Sequence, residues 1–201
     1  MAHRRLGSGQ KKAISEGRTI VFVDEAGFYL LAAVLSTYAP RGQTPLLRVP
    51  LTRDHLSVIG ALTPDGKLYL MIFPNRSIKG PDVVCFLRHL LRHISGNLLV
   101  IWDGLPAHHG PAVREFLAQG AAVRIHLERL PAYAPDLNPM ENVWRYLKYV
   151  EMKNLCCPAL PQLHHQLVKA VARLRHKTHV FSACFQHAGL DLNFSSLCEA
   201  Q

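Results

Sequence analysis

Three acidic residues far apart in the chain, Asp24, Asp103 and Glu141, stand where chemistry would use them. Asp24 ends the β-branched apolar run TIVFVD, Thr19 to Asp24, and Asp103 ends LLVIWD, Leu98 to Asp103. Each run predicts a buried strand whose last residue emerges at the end of a sheet. Glu141 begins a later helix, and a mixed sheet would bring all three carboxylates together. In open α/β sheets, sites form beyond the carboxyl ends of the strands. Ionised carboxylates in such a site repel one another, and divalent cations are the usual compensation. Hard oxygen donors favour Mg2+ or Mn2+ over zinc. Two such ions, about 3.5–4 Å apart, can activate a water or a 3′-hydroxyl at a phosphodiester and stabilise the leaving oxygen.

The segment that must deliver Glu141 is Leu130 to Lys148, LPAYAPDLNPMENVWRYLK. Pro131, Pro135 and Pro139 exclude an interior helix or a central strand over Leu130 to Asn138, so an ordered loop is expected. Asn138 is a good N-cap, Pro139 suits the first helical position, and Glu141 falls at the third. Met140, Val143, Trp144 and Leu147 form a core-facing stripe. Glu141, Arg145 and Lys148 share a neighbouring face, an acid beside two cations able to reach phosphate. The same spacing also fits a capping box, with Glu141 closing back on Asn138 and pairing with Arg145.

The remaining elements frame these residues. After Asp24 and Glu25, Gly27 permits a turn into a second strand, Phe28 to Leu35. APRGQTP, Ala39 to Pro45, reads as a loop exposing Arg41. Leu56 to Thr63 and Lys67 to Phe73 flank Pro64-Asp65-Gly66, a hairpin signal. Pro81 to Ile94 is helical, closed by Gly96, and carries His89 and His93 at i and i+4. That pair has metal-ligand spacing but no third ligand nearby, and the alternative is a solvent face beside Arg88 and Arg92. A loop with His108 and His109 follows Asp103, then a helix over Pro111 to Gln119, a strand over Ala122 to Leu127, the proline-rich loop and the Glu141 helix. Further helices are expected over Leu160 to Arg175 and Phe181 to Leu190. A meander followed by crossovers onto parallel strands predicts one α/β domain, a mixed five-stranded sheet with helices on both faces.

The 201-residue length suits one domain, and 49% apolar and 18% charged residues suit a folded one. The domain is expected to span 19–190, between a basic arm at 1–18 and a tail at 191–201. The arm reads as a solvated tail or as a DNA contact. A formal charge of +9 favours a polyanionic partner, nucleic acid first and an anionic membrane surface second. No apolar run reaches membrane-spanning length and the first 18 residues lack an apolar signal core, so a cytoplasmic protein is expected. Five cysteines, with Cys156 and Cys157 adjacent, indicate neither a disulfide framework nor a zinc site.

FVDEAGF around Asp24, WDGLPAH around Asp103 and LPAYAPDLNPMENVWRYLK around Glu141 resemble the three acidic motifs of the mariner-like superfamily of DDE transposases, and within it the bacterial insertion-sequence branch. APRGQTP and LSVIGAL match segments between the first two motifs, so the resemblance runs from about Arg18 to Leu190. It implies a ribonuclease H-like fold and a catalytic, metal-binding triad of Asp24, Asp103 and Glu141. It also implies two Mg2+ (or Mn2+) ions and cut-and-paste DNA transposition by a homodimer. Asp24 and Asp103 would share one metal position and Glu141 would complete the second. His108 corresponds to the histidine five residues after the second acid, with an orienting or phosphate-contacting role or a structural one. Arg41, Arg145 and Lys148 become candidate DNA phosphate contacts. Two departures stand out: Gly104 replaces an Asn that often follows the second acid, and only some 18 residues precede the first strand, where relatives carry helix-turn-helix domains. The expectation is a transposase catalytic domain, either the catalytic half of a split transposase with a separately encoded helix-turn-helix half or a truncated copy. The alternatives are an inactive remnant that only binds DNA, or a ribonuclease H-like nuclease without strand transfer.

Overall fold

The computed structural model describes residues 16–30, 38–43, 46, 52–131 and 135–190. The 1–15 part of the arm, the 191–201 tail and most of the expected second strand lie outside them. Among the described residues five strands form one mixed sheet: β1 (Arg18–Tyr29), β2 (His55–Leu62), β3 (Leu68–Pro74), β4 (Asn97–Trp102) and β5 (Ile125–Arg129), in the order β3-β2-β1-β4-β5. β1 to β3 are antiparallel neighbours, whereas β4 and β5 run parallel to β1. The helices are α1 (Gly80–His93), α2 (Pro111–Ala118), α3 (Pro139–Tyr146), α4 (Leu160–Arg175) and α5 (Thr178–His187).

The expected turn at Gly27 does not exist. β1 runs straight through it, pairing Gly27 with Ser57 and Tyr29 with His55. The reason is the long antiparallel partner: β2 supplies a ladder as far as Tyr29, whose ring folds back over Gly27. Asp24 is therefore mid-strand and not at a strand end. It still lies just past the last parallel pair, Phe22 with Ile101, so it faces the open carboxyl end of β4. The strand expected over Ala122 to Leu127 also moves. Gly120 at φ 112 turns the chain into a 3-10 turn, Ala121–Val123, and pairing begins only at Ile125. The Pro64-Asp65-Gly66 hairpin forms as expected, with the Gly66 amide donating to Thr63 O at 2.9 Å. Among the described residues Cys85, Cys156, Cys157 and Cys184 are free thiols.

Strand alternation divides the core in two. Ile20, Phe22 and Phe28 face one cluster with Met140, Val143 and Trp144 of α3 and with α4 and α5. Val21, Val23, Val100 and Trp102 face the other, with α1 and α2. The same alternation turns Asp24 toward α3 and Glu25 toward the opposite face. α3 sits close to the sheet because β2 has Gly60 opposite Asp24: a Cβ there would meet Trp144 Cη2 at 2.6 Å and Met140 Cε at 2.7 Å.

α3 continues into a π-helical turn, Leu147–Glu151, which positions Glu151 as a tie between helices. Its side chain, 5% exposed, accepts hydrogen bonds from Lys177 Nζ at 2.6 Å and Arg173 Nε at 2.7 Å. Burial alone would raise the Glu151 pKa, but these two bonds outweigh it and hold it below 4.5. A depressed folded-state pKa stabilises above the unfolded value and is lost on acidification. Glu151→Gln should therefore cost about 1–2 kcal/mol at neutral pH, the partners being half exposed. Urea melts of the two chains should converge below about pH 4; a gap that persists there would contradict the ion-pair account.

Candidate active site

Asp24 is the buried member of the three acids. Its side chain is turned inward from β1, leaving the residue 7% exposed, and Trp144 Nε1 donates to Oδ2 at 2.9 Å. A second bond ties α3 to the same strand: Asn138 Nδ2 donates to Val23 O at 3.2 Å. The Asn138 side chain also caps α3, Oδ1 accepting from the Met140 amide at 3.2 Å. One residue thus starts the helix and fixes its distance from the sheet.

The Glu141 side chain, exposed on the first turn of α3, makes no hydrogen bond or ion pair among the described residues. The capping box and the Arg145 pair are therefore not how this helix starts. Glu141 and Arg145 instead line an open groove of about 320 Å3 with Asp136, Asn142 and His187. Glu141 lies near enough to Asp24 to act on it electrostatically. Burial first, then the Glu141 charge, pushes the Asp24 pKa up to about 7; the Trp144 indole and the Glu25 amide pull it down without matching them. Lys148, half-buried, places Nζ 5.3 Å from the Phe28 ring centre. Burial lowers its pKa, and the charges of Glu141 and Asp24 offset part of that.

Asp103 adds a further, weaker repulsion on Asp24 and is itself held by other partners. Its Oδ1 accepts from His108 Nδ1 at 2.8 Å and from the Leu105 amide at 3.0 Å. Burial would raise its pKa, but these bonds and the His108 and Arg129 charges lower it. His108 is buried, stacks on Trp102 with ring centres 4.5 Å apart, and reaches Glu25 Oε1 from Nε2 at 3.2 Å. Burial would depress the imidazole, yet the Asp103 and Glu25 carboxylates raise its pKa to about 9. The result is a chain Glu25, His108, Asp103 that starts from the face of β1 opposite Trp144 and ends at the carboxyl end of β4.

Five of the seven expected residues thus belong to one region: Asp24, Asp103 and Glu141 with His108 and Lys148. Arg145 stands at its rim in the groove. Arg41 is exposed on the turn Tyr38 to Gln43, and no described contact joins it to the acids. Among the described residues no three His, Cys, Asp or Glu side chains stand close enough to enclose a metal ion. Asp24 and Asp103 are drawn instead to Trp144 and His108. His89 and His93 pack on each other, ring centres 4.1 Å apart, beside Tyr69 and without a third ligand among the described residues. Sequence reading missed the roles of Glu25 and Trp144. Strand alternation past Asp24 is the signal that could have separated Glu25 from it; nothing in the apolar stripe marks the Trp144 indole as a donor.

Residues 19–159 match the model of a family described as DDE superfamily endonuclease, and the chain belongs to that family. Among solved structures it is similar to a pre-cleavage Mos1 transpososome at 17% identity, covering 94% of this chain and 61% of that one, with a TM-score of 0.65. The mariner Mos1 paired-end complex with Mg gives 19% identity, 96% and 61% coverage and a TM-score of 0.63. The isolated catalytic domain of Mos1 mariner transposase gives 16% identity, 94% and 91% coverage and 0.55. The chain spans about 61% of the length of the transposase in the first two. At these identities the likeness is one of fold, the ribonuclease H-like fold of transposase catalytic domains. No functionally curated protein matches the chain. Among the described residues no helix is long and apolar enough to cross a membrane.

The Asp24 electrostatics give a test. Its folded-state pKa near 7 lies above the usual 3.8, so folding takes up a proton between those values and stability falls as pH rises across them. In chelator, Asp24→Asn should match the parent below about pH 4. Above pH 7 it should exceed the parent by on the order of 2 kcal/mol, a Tm rise of roughly 4–8 °C. Calorimetry across that range checks this; an Asn variant less stable than its parent at high pH would contradict it.

Proposed function

We propose that the chain is the catalytic domain of a transposase, performing metal-dependent DNA strand cleavage and strand transfer. The observation that carries this reading is Asp24, a buried carboxylate repelled by Glu141 and, less strongly, by Asp103. A buried hard acid whose ionisation is disfavoured by burial and by a neighbouring carboxylate, with a third at the neighbouring strand end, fits divalent oxygen-seeking cations. Asp24 and Asp103 would hold one ion, and Glu141 with Asp24 a second, with Mg2+ or Mn2+ as the metals the donors suit. When bound, such ions lower the pKa of the attacking hydroxyl and stabilise the leaving oxygen of a phosphodiester.

The chain's own groups prepare that chemistry. No protein nucleophile is required, because water and then a freed 3′-hydroxyl attack phosphorus. The indole of Trp144 orients Asp24. His108, braced by Glu25, holds Asp103 by Oδ1. Lys148 offsets negative charge beside Glu141, and Arg145 at the groove rim is a phosphate contact that positions DNA without reading its sequence. Arg41 would contact DNA farther out.

The partners are element ends and target DNA, in a homodimer, with a helix-turn-helix half to recognise the ends. Related complexes are described as a transpososome, a paired-end complex and a strand transfer complex, which supports DNA as the substrate class. A nuclease without strand transfer would share the acids but would not join a pre-cut 3′ end to target DNA.

Supercoiled plasmid nicking in Mn2+ tests the triad. Asp103→Asn and Glu141→Gln should each lose about a hundredfold or more of the rate while remaining folded by circular dichroism. Glutamine still suits a helix start, so a Glu141→Gln chain that nicks like the parent would make Glu141 structural. A folded parent that binds DNA and never nicks would favour the inactive remnant.

A further inference from the structure

Gly104 directly follows Asp103, and the space a side chain would fill there is taken. A Cβ built on Gly104 would collide with Nη2, Cζ and Nε of Arg129, so the guanidinium lies flat against the glycine backbone. Gly104 is not at a positive φ, and its value here is room, not backbone freedom. Arg129 is the last residue of β5, paired in register with Trp102. The next amide, Leu130, still donates to Trp102 O at 2.8 Å. Both residues thus stand at the carboxyl ends of adjacent parallel strands, where sites in such sheets form.

The guanidinium is without a partner in its surroundings: the Arg129 side chain is exposed and, among the described residues, makes no hydrogen bond or ion pair. It is near enough to act on Asp103, but the Asp103 Oδ1 is committed to His108 and the Leu105 amide. A planar fork of donors left unpaired beside an acid, in a chain of net charge +9, suits a planar or tetrahedral oxyanion from outside.

We propose that Arg129, seated in the gap at Gly104, forms a phosphate-binding position beside Asp103 that holds a backbone phosphate of DNA. This rests on DNA being the ligand, as in the reading above, but not on the chain being catalytically active. The guanidinium donates to two phosphate oxygens; the glycine lets it lie close to Asp103 without the clash an Asn or Ala would cause. Because the obstructing atoms belong to the far end of a flexible side chain, Gly104→Ala displaces the guanidinium without disturbing the strand.

Fluorescence anisotropy with a labelled DNA duplex in metal-free buffer, titrated over a range of salt, tests this independently of cleavage. Arg129→Ala should weaken binding several-fold and reduce the slope of log K against log salt by about 0.9, one phosphate contact. Arg129→Lys should recover most of the slope. Gly104→Ala should weaken binding in the parent and have no further effect in the Arg129→Ala background, because the two act through one group. Arg92→Ala, on the exposed side of α1, controls for the loss of any one surface charge. The proposal is overturned if Arg129→Ala keeps the parent slope, if Arg92→Ala loses as much, if the two substitutions are additive, or if the parent binds no DNA. A parent that binds DNA but never nicks it removes the nuclease reading and leaves this site to be decided by the slopes.

Discussion

The hydrogen bond from Trp144 Nε1 to Asp24 Oδ2 joins residues 120 positions apart, and the rest of the site depends on it. It gives a largely buried carboxylate a donor, and it fixes α3 against β1 so that Glu141 stands on the same side as Asp24. Gly60 makes the approach possible, since any side chain there would push Trp144 and Met140 off the sheet. Asn138 holds the other end of the helix start by bonding Val23 O. A rotation of α3 by one residue would carry Glu141 away from Asp24 and bury Arg145 or Asn142 instead.

That architecture concentrates like charge, which a stable protein would ordinarily avoid. Burying Asp24 near Glu141 raises its pKa, so the site without metal opposes the charge state that the proposed chemistry would need. Asp103 is held by a different device. The two carboxylates Glu25 and Asp103 share one buried imidazole, stacked on Trp102, and Asp103 remains ionised as a result. The pKa of one acid is raised and that of the other lowered, a division that on the proposed reading would give a divalent cation charge to relieve at Asp24 and a fixed anchor at Asp103.

Much of this was legible in the sequence. The two apolar strands that carry the chain to Asp24 and Asp103, the Pro64-Asp65-Gly66 hairpin, and the Asn138 and Pro139 helix start all depend on local physics, and the structure has each of them. The Gly27 turn was misread because a glycine between apolar runs marks a turn only when no partner continues the ladder, and β2, some thirty residues later in the chain, does continue it. The same long-range pairing moved Asp24 from strand end to mid-strand. Trp144 looked like one more core residue in a helical stripe; that its indole nitrogen meets a carboxylate depends on sheet order, which no spacing within α3 encodes. Gly104 looked like a minor departure, and only the position of β5 beside β4 shows that Arg129 fills its place.

The central claim, that α3 completes the site by holding Asp24 through Trp144, is tested most directly by Mn2+ affinity measured calorimetrically on the parent and on Trp144→Phe. Phenylalanine keeps an aromatic ring against Phe28, whose centre lies 6.1 Å from that of the indole, and removes only the donor. The account predicts that the folded variant binds Mn2+ at least about tenfold more weakly than the parent. A parent that binds no Mn2+, or a Trp144→Phe chain that binds it as tightly as the parent, would contradict the account.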